Sequence, residues 1–341
     1  MKVWKAVFCL TIILLLASQL PAQLKINGYF SYEYLKSQKD GFYPAGTFAN
    51  LNGGALVSGV ISGPVSFAAE ALYDQDQKFN LHQAYVNLQA SGLFNFKIGL
   101  FEIPFGRFNR SARPAENETV FRPLPFHFFP YRWSEVGLNW EGNYSFIYYA
   151  AYAVNGVSAD ENGYLETPAK DINKNKGVGS RLALRFGQGF EAGGSFYSGK
   201  YDSTNSKNIR FEGFDLIWVT TDWEVKGEYV KTAVQHPFLN QTFEFDGYYF
   251  TLMMIFKRFK PYFSYQYSML PESRLDDEQA LPFNVLIETM VKKDRKAIGF
   301  KCDFLDNFYA KFEFDWNKEK SLAKELQLKD NAYSIQIGFV F

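Results

Sequence analysis

The 341-residue sequence predicts an all-β fold: a transmembrane antiparallel β-barrel of about 16 strands with one long loop folded inward. Three observations predict it. Apolar and polar residues alternate with period two through most of the chain, which puts them on opposite faces of strands. The alternating segments run about 9–12 residues, which suits tilted membrane strands better than the five or six residues common in soluble sheets. Aromatic residues make up 19% of the chain (Phe 36, Tyr 22, Trp 6), yet mean hydropathy is -0.22. So many rings exclude ordinary disorder, and the polar average excludes a bundle of transmembrane helices. Lys+Arg 36 balances Asp+Glu 36, so no basic excess points to a nucleic-acid partner.

Residues 1–22 read as a secretory signal peptide. Lys2 and Lys5 supply the positive start, Ala6 to Ala17 is apolar apart from Thr11, and Pro21-Ala22 offers a small residue before the cut. Cys9 leaves with this segment, so Cys302 remains alone and no internal disulfide can form. Residues 23–341 are the expected barrel. Strands are predicted near 24–35, 53–62, 64–74, 80–90, 94–101, 133–142, 144–154, 178–187, 189–200, 209–218, 223–233, 244–257, 260–269, 294–304, 307–317 and 329–341.

The last of these is the clearest: Tyr333, Ile335, Ile337, Phe339 and Phe341 oppose Ala332, Ser334, Gln336, Gly338 and Val340. Ile26, Phe30, Tyr32 and Tyr34 likewise oppose Lys25, Asn27, Ser31 and Glu33, and Phe312, Phe314 and Trp316 oppose Lys311, Glu313 and Asp315. In a membrane barrel the apolar faces meet lipid and the charged faces line a lumen. Lys97, Glu141, Glu224, Lys226, Glu228, Lys301, Asp303, Lys311, Glu313 and Asp315 are the expected lumen-lining charges. Both signs occur, so they largely screen one another. Ser62-Gly63-Pro64 and Leu305-Asp306-Asn307 read as short turns, and 155–177 and 270–293 as longer outer loops.

Residues 103–132 depart furthest from alternation. They hold five of the 13 prolines (Pro104, Pro114, Pro123, Pro125, Pro130), which cannot donate to a strand ladder. Phe105, Phe108, Phe121, Phe126, Phe128, Phe129 and Tyr131 argue for a packed loop rather than a disordered one. It also carries Arg107, Arg110, Arg113, Arg122 and Arg132 against only Glu116 and Glu118. Inside a lumen these guanidiniums would form a pore constriction biased mildly toward anions. The alternative is a surface loop whose arginines pair with Glu116, Glu118, Glu135 or lipopolysaccharide phosphates.

Two segments resemble known families. Ala332-Tyr-Ser-Ile-Gln-Ile-Gly-Phe-Val-Phe341 resembles the closing strand of bacterial outer-membrane barrels. That resemblance implies an outer-membrane location among lipid and lipopolysaccharide. It also implies that the barrel-assembly machinery reads Phe341 as its signal. Phe96-Lys-Ile-Gly-Leu-Phe-Glu-Ile-Pro-Phe-Gly-Arg107, with Arg113-Pro-Ala-Glu-Asn-Glu118 and Arg122-Pro-Leu124, resembles the strand-to-loop transition and inward loop of the phosphate-selective porin superfamily. The phosphate-binding residues of that family are not matched. The resemblance implies a porin that can form a homotrimer and that passes small hydrophilic solutes or anions by diffusion. A non-conducting structural or adhesive barrel and a barrel hydrolase are the alternatives.

Little else carries chemistry. His82, His127 and His236 lack metal-ligand spacing to another His or Cys, and no nucleophile elbow or phosphate loop occurs, so no catalytic residue, metal or cofactor is expected. Asp74-Gln-Asp76 and Asp276-Asp277-Glu278 read as solvated loop acid. Lys292-Lys293 with Arg295 reads as an anchor to anionic headgroups.

Overall fold

The computed structural model describes residues 24–39, 41, 43–73, 79–130, 132–159, 165–167, 171, 173–235, 241–271, 290–321 and 330–341. The expected signal peptide, both loop acid runs, Tyr131 and His236 lie outside these residues. In chain order the strands are β1 (Lys25–Ser37), β2 (Thr47–Ser62), β3 (Val65–Tyr73), β4 (Phe79–Gln89), β5 (Asn95–Glu102), β6 (Ser134–Tyr144), β7 (Ile147–Val154), β8 (Ser158–Ala159), β9 (Leu165–Glu166), β10 (Gly177–Phe186), β11 (Phe190–Lys200), β12 (Asn208–Val219), β13 (Trp223–Gln235), β14 (Thr242–Met254), β15 (Phe259–Pro271), β16 (Met290–Leu305), β17 (Phe308–Ser321) and β18 (Ala332–Val340). β8 and β9 form a small separate sheet, and the remaining 16 strands close into one antiparallel barrel. β1 completes the ring by pairing with β18, from Tyr29 opposite Val340 to Ser37 opposite Ala332.

The burial pattern is inverted relative to a water-soluble protein. Apolar side chains face out, with Phe30 50%, Ile98 60%, Leu138 57%, Leu182 58%, Phe214 55% and Ile337 48% exposed. The charged and polar side chains between them point inward, with Ser31, Asp215, Glu313 and Asp315 all at 0%. Only a solvent greasier than the protein's own interior favours that arrangement, and hydrocarbon is such a solvent. Closure also leaves no unpaired strand edge for lipid to desolvate.

The strands match the alternation closely, with differences where the period is interrupted. β2 starts at Thr47 rather than near 53. Its register with β1 shifts between Ser31 and Glu33, and Asn50 takes φ 53, so a bulge hides the period. β16 starts at Met290, where Lys292 and Lys293 put a charge on both faces and erase the apolar signal. The presumed single anchor there is split: Lys292 faces out, while Lys293 pairs with Glu319 at 3.2 Å and Arg295 donates to Asn317 at 3.0 Å, both inside.

One sector of the inner wall is not polar. Tyr152, Tyr197, Ile209, Phe211, Val230, Phe245 and Tyr249 point inward from β7 and β11–β14 and form a buried cluster with Phe105, Phe108, Phe126, Phe129 and Trp133. Those five rings come from the long loop and its far end. The loop is folded inward because its apolar rings find an apolar half of the lumen. Ring pairs such as Phe129–Phe211 (centroids 4.5 Å) and Trp133–Tyr197 (4.8 Å) each contribute about 0.5–1.5 kcal/mol beyond area burial.

Candidate functional site

The loop leaves β5 and returns at β6 through a tight neck. Ile103 N donates to Trp133 O at 2.9 Å. Asn109 seals the neck: its amide donates to Ile103 O (2.8 Å) and Trp133 O (2.9 Å) and accepts from Trp133 N (2.7 Å). At the Pro-Phe-Gly turn, Gly106 takes φ 62, a conformation that favours glycine, and a Cβ there would run into the Glu228 carboxylate.

Wall side chains then hold the loop's backbone. Gly106 N donates to Ser195 Oγ at 3.0 Å. Glu228 accepts from the backbone N of Arg107 (2.9 Å) and of Phe108, and from Tyr249 OH (2.7 Å). Glu313 repeats the motif on the other side, accepting from Val120 N (3.0 Å), Phe121 N (3.2 Å) and Tyr262 OH (2.6 Å). Gln266 accepts from Leu124 N at 3.1 Å. Lys301 donates to Ala115 O and Lys311 to Pro114 O, each at 2.6 Å. The loop pairs part of its backbone with itself in short turns, as from Arg110 N to Arg107 O (3.1 Å) and from Phe126 N to Pro123 O (3.0 Å), and buried groups on the wall satisfy groups those turns leave over.

The expected lumen charges therefore divide. Glu228, Glu313, Lys301 and Lys311 tether the loop, and Lys226 pairs with Glu118 of the loop. Lys97 pairs with Glu141 (2.7 Å) and Asp303 with Lys260 (2.6 Å) across neighbouring strands. Asp315 lies 3.7 Å from Arg295. Glu224 is half-buried and makes no hydrogen bond or ion pair among the described residues, and its countercharges are Arg107, Lys260 and Lys301, Arg107 foremost.

Four of the five loop arginines are engaged. Arg110 pairs with Glu191 at 3.1 Å. Arg113 reaches Glu70 (2.9 Å) and Glu116 (3.0 Å). Arg122 donates to Phe129 O (2.9 Å) and Pro130 O (3.2 Å). Arg132, at φ 47, donates to Tyr29 OH (2.8 Å), Glu70 (2.9 Å) and Glu102 (3.0 Å). Arg107 is half-buried, and its guanidinium has no carboxylate within ion-pair distance among the described residues.

Sequence reasoning missed the wall partners Glu70, Glu102, Glu191 and Asn109. Glu70 interrupts the apolar run Ala68–Ala71, an inward-pointing signal, but nothing local shows that it meets Arg132. It also missed that Glu70, His82 and Glu102, from three strands, come within mutual ligand distance. The Arg132 guanidinium lies between the two carboxylates, so a cation already occupies the position a metal would take. His82 Nε2 lies 2.9 Å from Glu102, and Ser134 Oγ lies 3.2 Å from both ring nitrogens. A Ser–His–acid triad places nucleophile and acid on opposite nitrogens. Here Ser134 Oγ is equidistant from both nitrogens, including the one that meets Glu102, and Ser134 is 4% exposed; the group forms a polar knot at the loop's return.

Cavities lie along the loop's opposite flank, away from the aromatic sector. At mid-height one of about 310 Å³ lies between Ala112–Arg122 and Glu33, Asn50, Asn52 and Gln336. Toward the long-loop end is one of about 280 Å³, bounded by Ser37, Phe121, His127 and Arg295. Toward the short-turn end is one of about 480 Å³, reaching from Arg113, Ala115 and Glu116 to Asn27 and Phe341. The segment Ala112–Ala115 divides the last from the first.

No family model matches the chain. An uncharacterized protein of Aquifex aeolicus (strain VF5) is 31% identical over 156 residues, 42% of this chain and 36% of that protein, so the chain spans about a third of that relative's length. Solved structures match over nearly the whole barrel. The anion-selective porin from Comamonas acidovorans gives a TM-score of 0.67 at 10% identity, covering 94% of this chain and 100% of that one. OmpF of Salmonella typhi gives 0.67 at 11%, covering 93% and 97%. The trimer form of in-vitro folded OmpT of Vibrio cholerae gives 0.65 at 9%, covering 94% and 99%. The chain thus has the fold of a 16-stranded outer-membrane barrel of porin type.

Proposed function

We propose that this chain is an outer-membrane porin, a water-filled channel through which small hydrophilic solutes diffuse without a chemical step. The observation that carries the reading is the pairing of an apolar exterior with cavities along the flank of an inward loop. Solutes pass along the flank of Glu33, Asn50 and Asn52, and residues 103–132 act as the constriction, narrowest where Ala112–Ala115 faces β1. Selectivity is weak, because most charges at the loop are matched. A mild anion preference rests on Arg107, the loop guanidinium for which no hydrogen bond or ion pair is found among the described residues.

Two further points belong to this reading. Phe341 serves as the assembly signal, and β1–β4 form the contact face of a homotrimer. The outward surface there has a patch of small residues at mid-strand: Ala55 lies opposite Ala71, and Ala69 opposite Ala84. Small residues let barrel walls approach closely, and OmpT of Vibrio cholerae has a trimer form.

Planar-bilayer recording of the purified protein tests the proposal. Stepwise conductance is expected, with a small reversal potential of anion-selective sign under a salt gradient. A folded barrel that inserts without conducting would favour the plugged, structural alternative; a cation-selective sign would remove the anion preference alone.

A further inference from the structure

The outward-facing charges near the long-loop end of the barrel are distributed unevenly. On β12–β14 every cation is matched: Arg210 pairs with Glu212 at 3.2 Å and Lys231 with Glu244 at 2.8 Å, and Asp246 stands opposite Lys231. Along β16, β17 and β1 they do not. Lys292, Lys296, Lys318 and Lys320 are exposed and Lys36 is half-buried, and none has a carboxylate within ion-pair distance among the described residues. Asp294 is the one outward carboxylate among them, and it accepts from Tyr265 OH at 2.9 Å. In the β16–β17 register Lys292 stands directly opposite Lys320, Asp294 opposite Lys318 and Lys296 opposite Trp316, so the unopposed positive charge centres on Lys292 and Lys320. Like charges facing each other across a ladder destabilise it unless an anion bridges them. Trp316 and Tyr265 mark the aromatic girdle where hydrocarbon ends, and Lys292 lies four residues, about 13 Å along the strand, beyond Lys296. The lysines therefore stand at headgroup height.

We infer that this face is a binding site for the phosphorylated headgroup of an outer-leaflet glycolipid, with its phosphates bridging Lys292, Lys320 and Lys318 and its acyl chains lying on Trp316 and the girdle below. The inference rests on the outer-membrane reading and adds a specific lipid site to it. A bis-phosphorylated glycolipid fits better than a free anion, because the patch combines cations with an adjoining apolar surface.

The test titrates the detergent-purified protein, by native mass spectrometry and unfolding temperature, with a bis-phosphorylated glucosamine glycolipid, its dephosphorylated form and inorganic pyrophosphate. The phosphorylated glycolipid is expected to bind at least about tenfold tighter than either comparison ligand, more weakly as salt rises. K292Q/K318Q/K320Q should lose that preference and keep wild-type conductance, whereas R210Q/K231Q should keep it. If the triple variant fails to fold, K292Q and K320Q singly should each weaken binding. Equal affinity for the dephosphorylated lipid or for pyrophosphate would overturn the site, as would a triple variant that alters oligomeric state while binding glycolipid normally. Loss of conductance in the wild-type protein would count against the channel and leave this site standing.

Discussion

Gly106 carries more of the loop's geometry than any other single position. Its φ of 62 and the Glu228 carboxylate beside it leave no room for a side chain. Gly106→Ala is expected to cost about 1–3 kcal/mol, seen as a lower unfolding temperature of the barrel in detergent. The arginines separate at this scale too. Arg107→Ala should reduce the anion-selective reversal potential, whereas Arg110→Ala should move it less, because Glu191 already offsets Arg110. Equal effects from both, measured by single-channel recording, would show that all five guanidiniums act as one diffuse field. The arginine cluster was legible in the sequence, since five arginines in one lysine-free loop stand out. Their neutralisation was not, because Glu70, Glu102 and Glu191 lie on other strands.

The loop as an element is held from both sides by two carboxylates that perform the same task. Glu228 grips the backbone at Arg107 and Phe108, and Glu313 grips it at Val120 and Phe121. Glu313→Gln removes the charge and puts a donor where two acceptors are needed, leaving buried backbone N–H groups poorly matched at about 1–3 kcal/mol. The expected outcome is a noisier open channel with larger mean conductance, as Ala112–Phe121 moves off the β17 wall. Glu228→Gln should destabilise the fold more than it changes conductance, because the aromatic cluster still holds that end. Proline content and rings identified the loop and its burial. They could not show where it docks, since the apolar patch that receives it comes from inward residues of β11–β14, which read from sequence as ordinary alternation.

For the whole molecule, closure is the decisive event, and Phe341 sits at the seam. Its backbone exchanges hydrogen bonds with Gly28, both at 2.9 Å. Deleting Phe341 is expected to lower the yield of folded barrel in the outer membrane far more than it affects refolding from denaturant into detergent. Equal losses in both would point to seam stability rather than to a signal. The proposed trimer face is testable in the same way: Ala69→Trp should shift the protein to monomer in unheated gel electrophoresis and leave single-barrel conductance intact.

The sequence by itself determined the strands, their even number, the side of each that meets hydrocarbon, and the one segment that could not be a strand. Those are local properties, written in a period of two residues and in the placement of proline. The tertiary structure decided what each buried carboxylate meets. Closing the ring brings Glu33 to the Gln336 amide, and folding the loop inward brings the backbone N–H of Arg107 to Glu228 and that of Val120 to Glu313. Such pairings depend on the register of distant strands and on where an apolar loop finds apolar wall, and neither leaves a trace in the order of neighbouring residues.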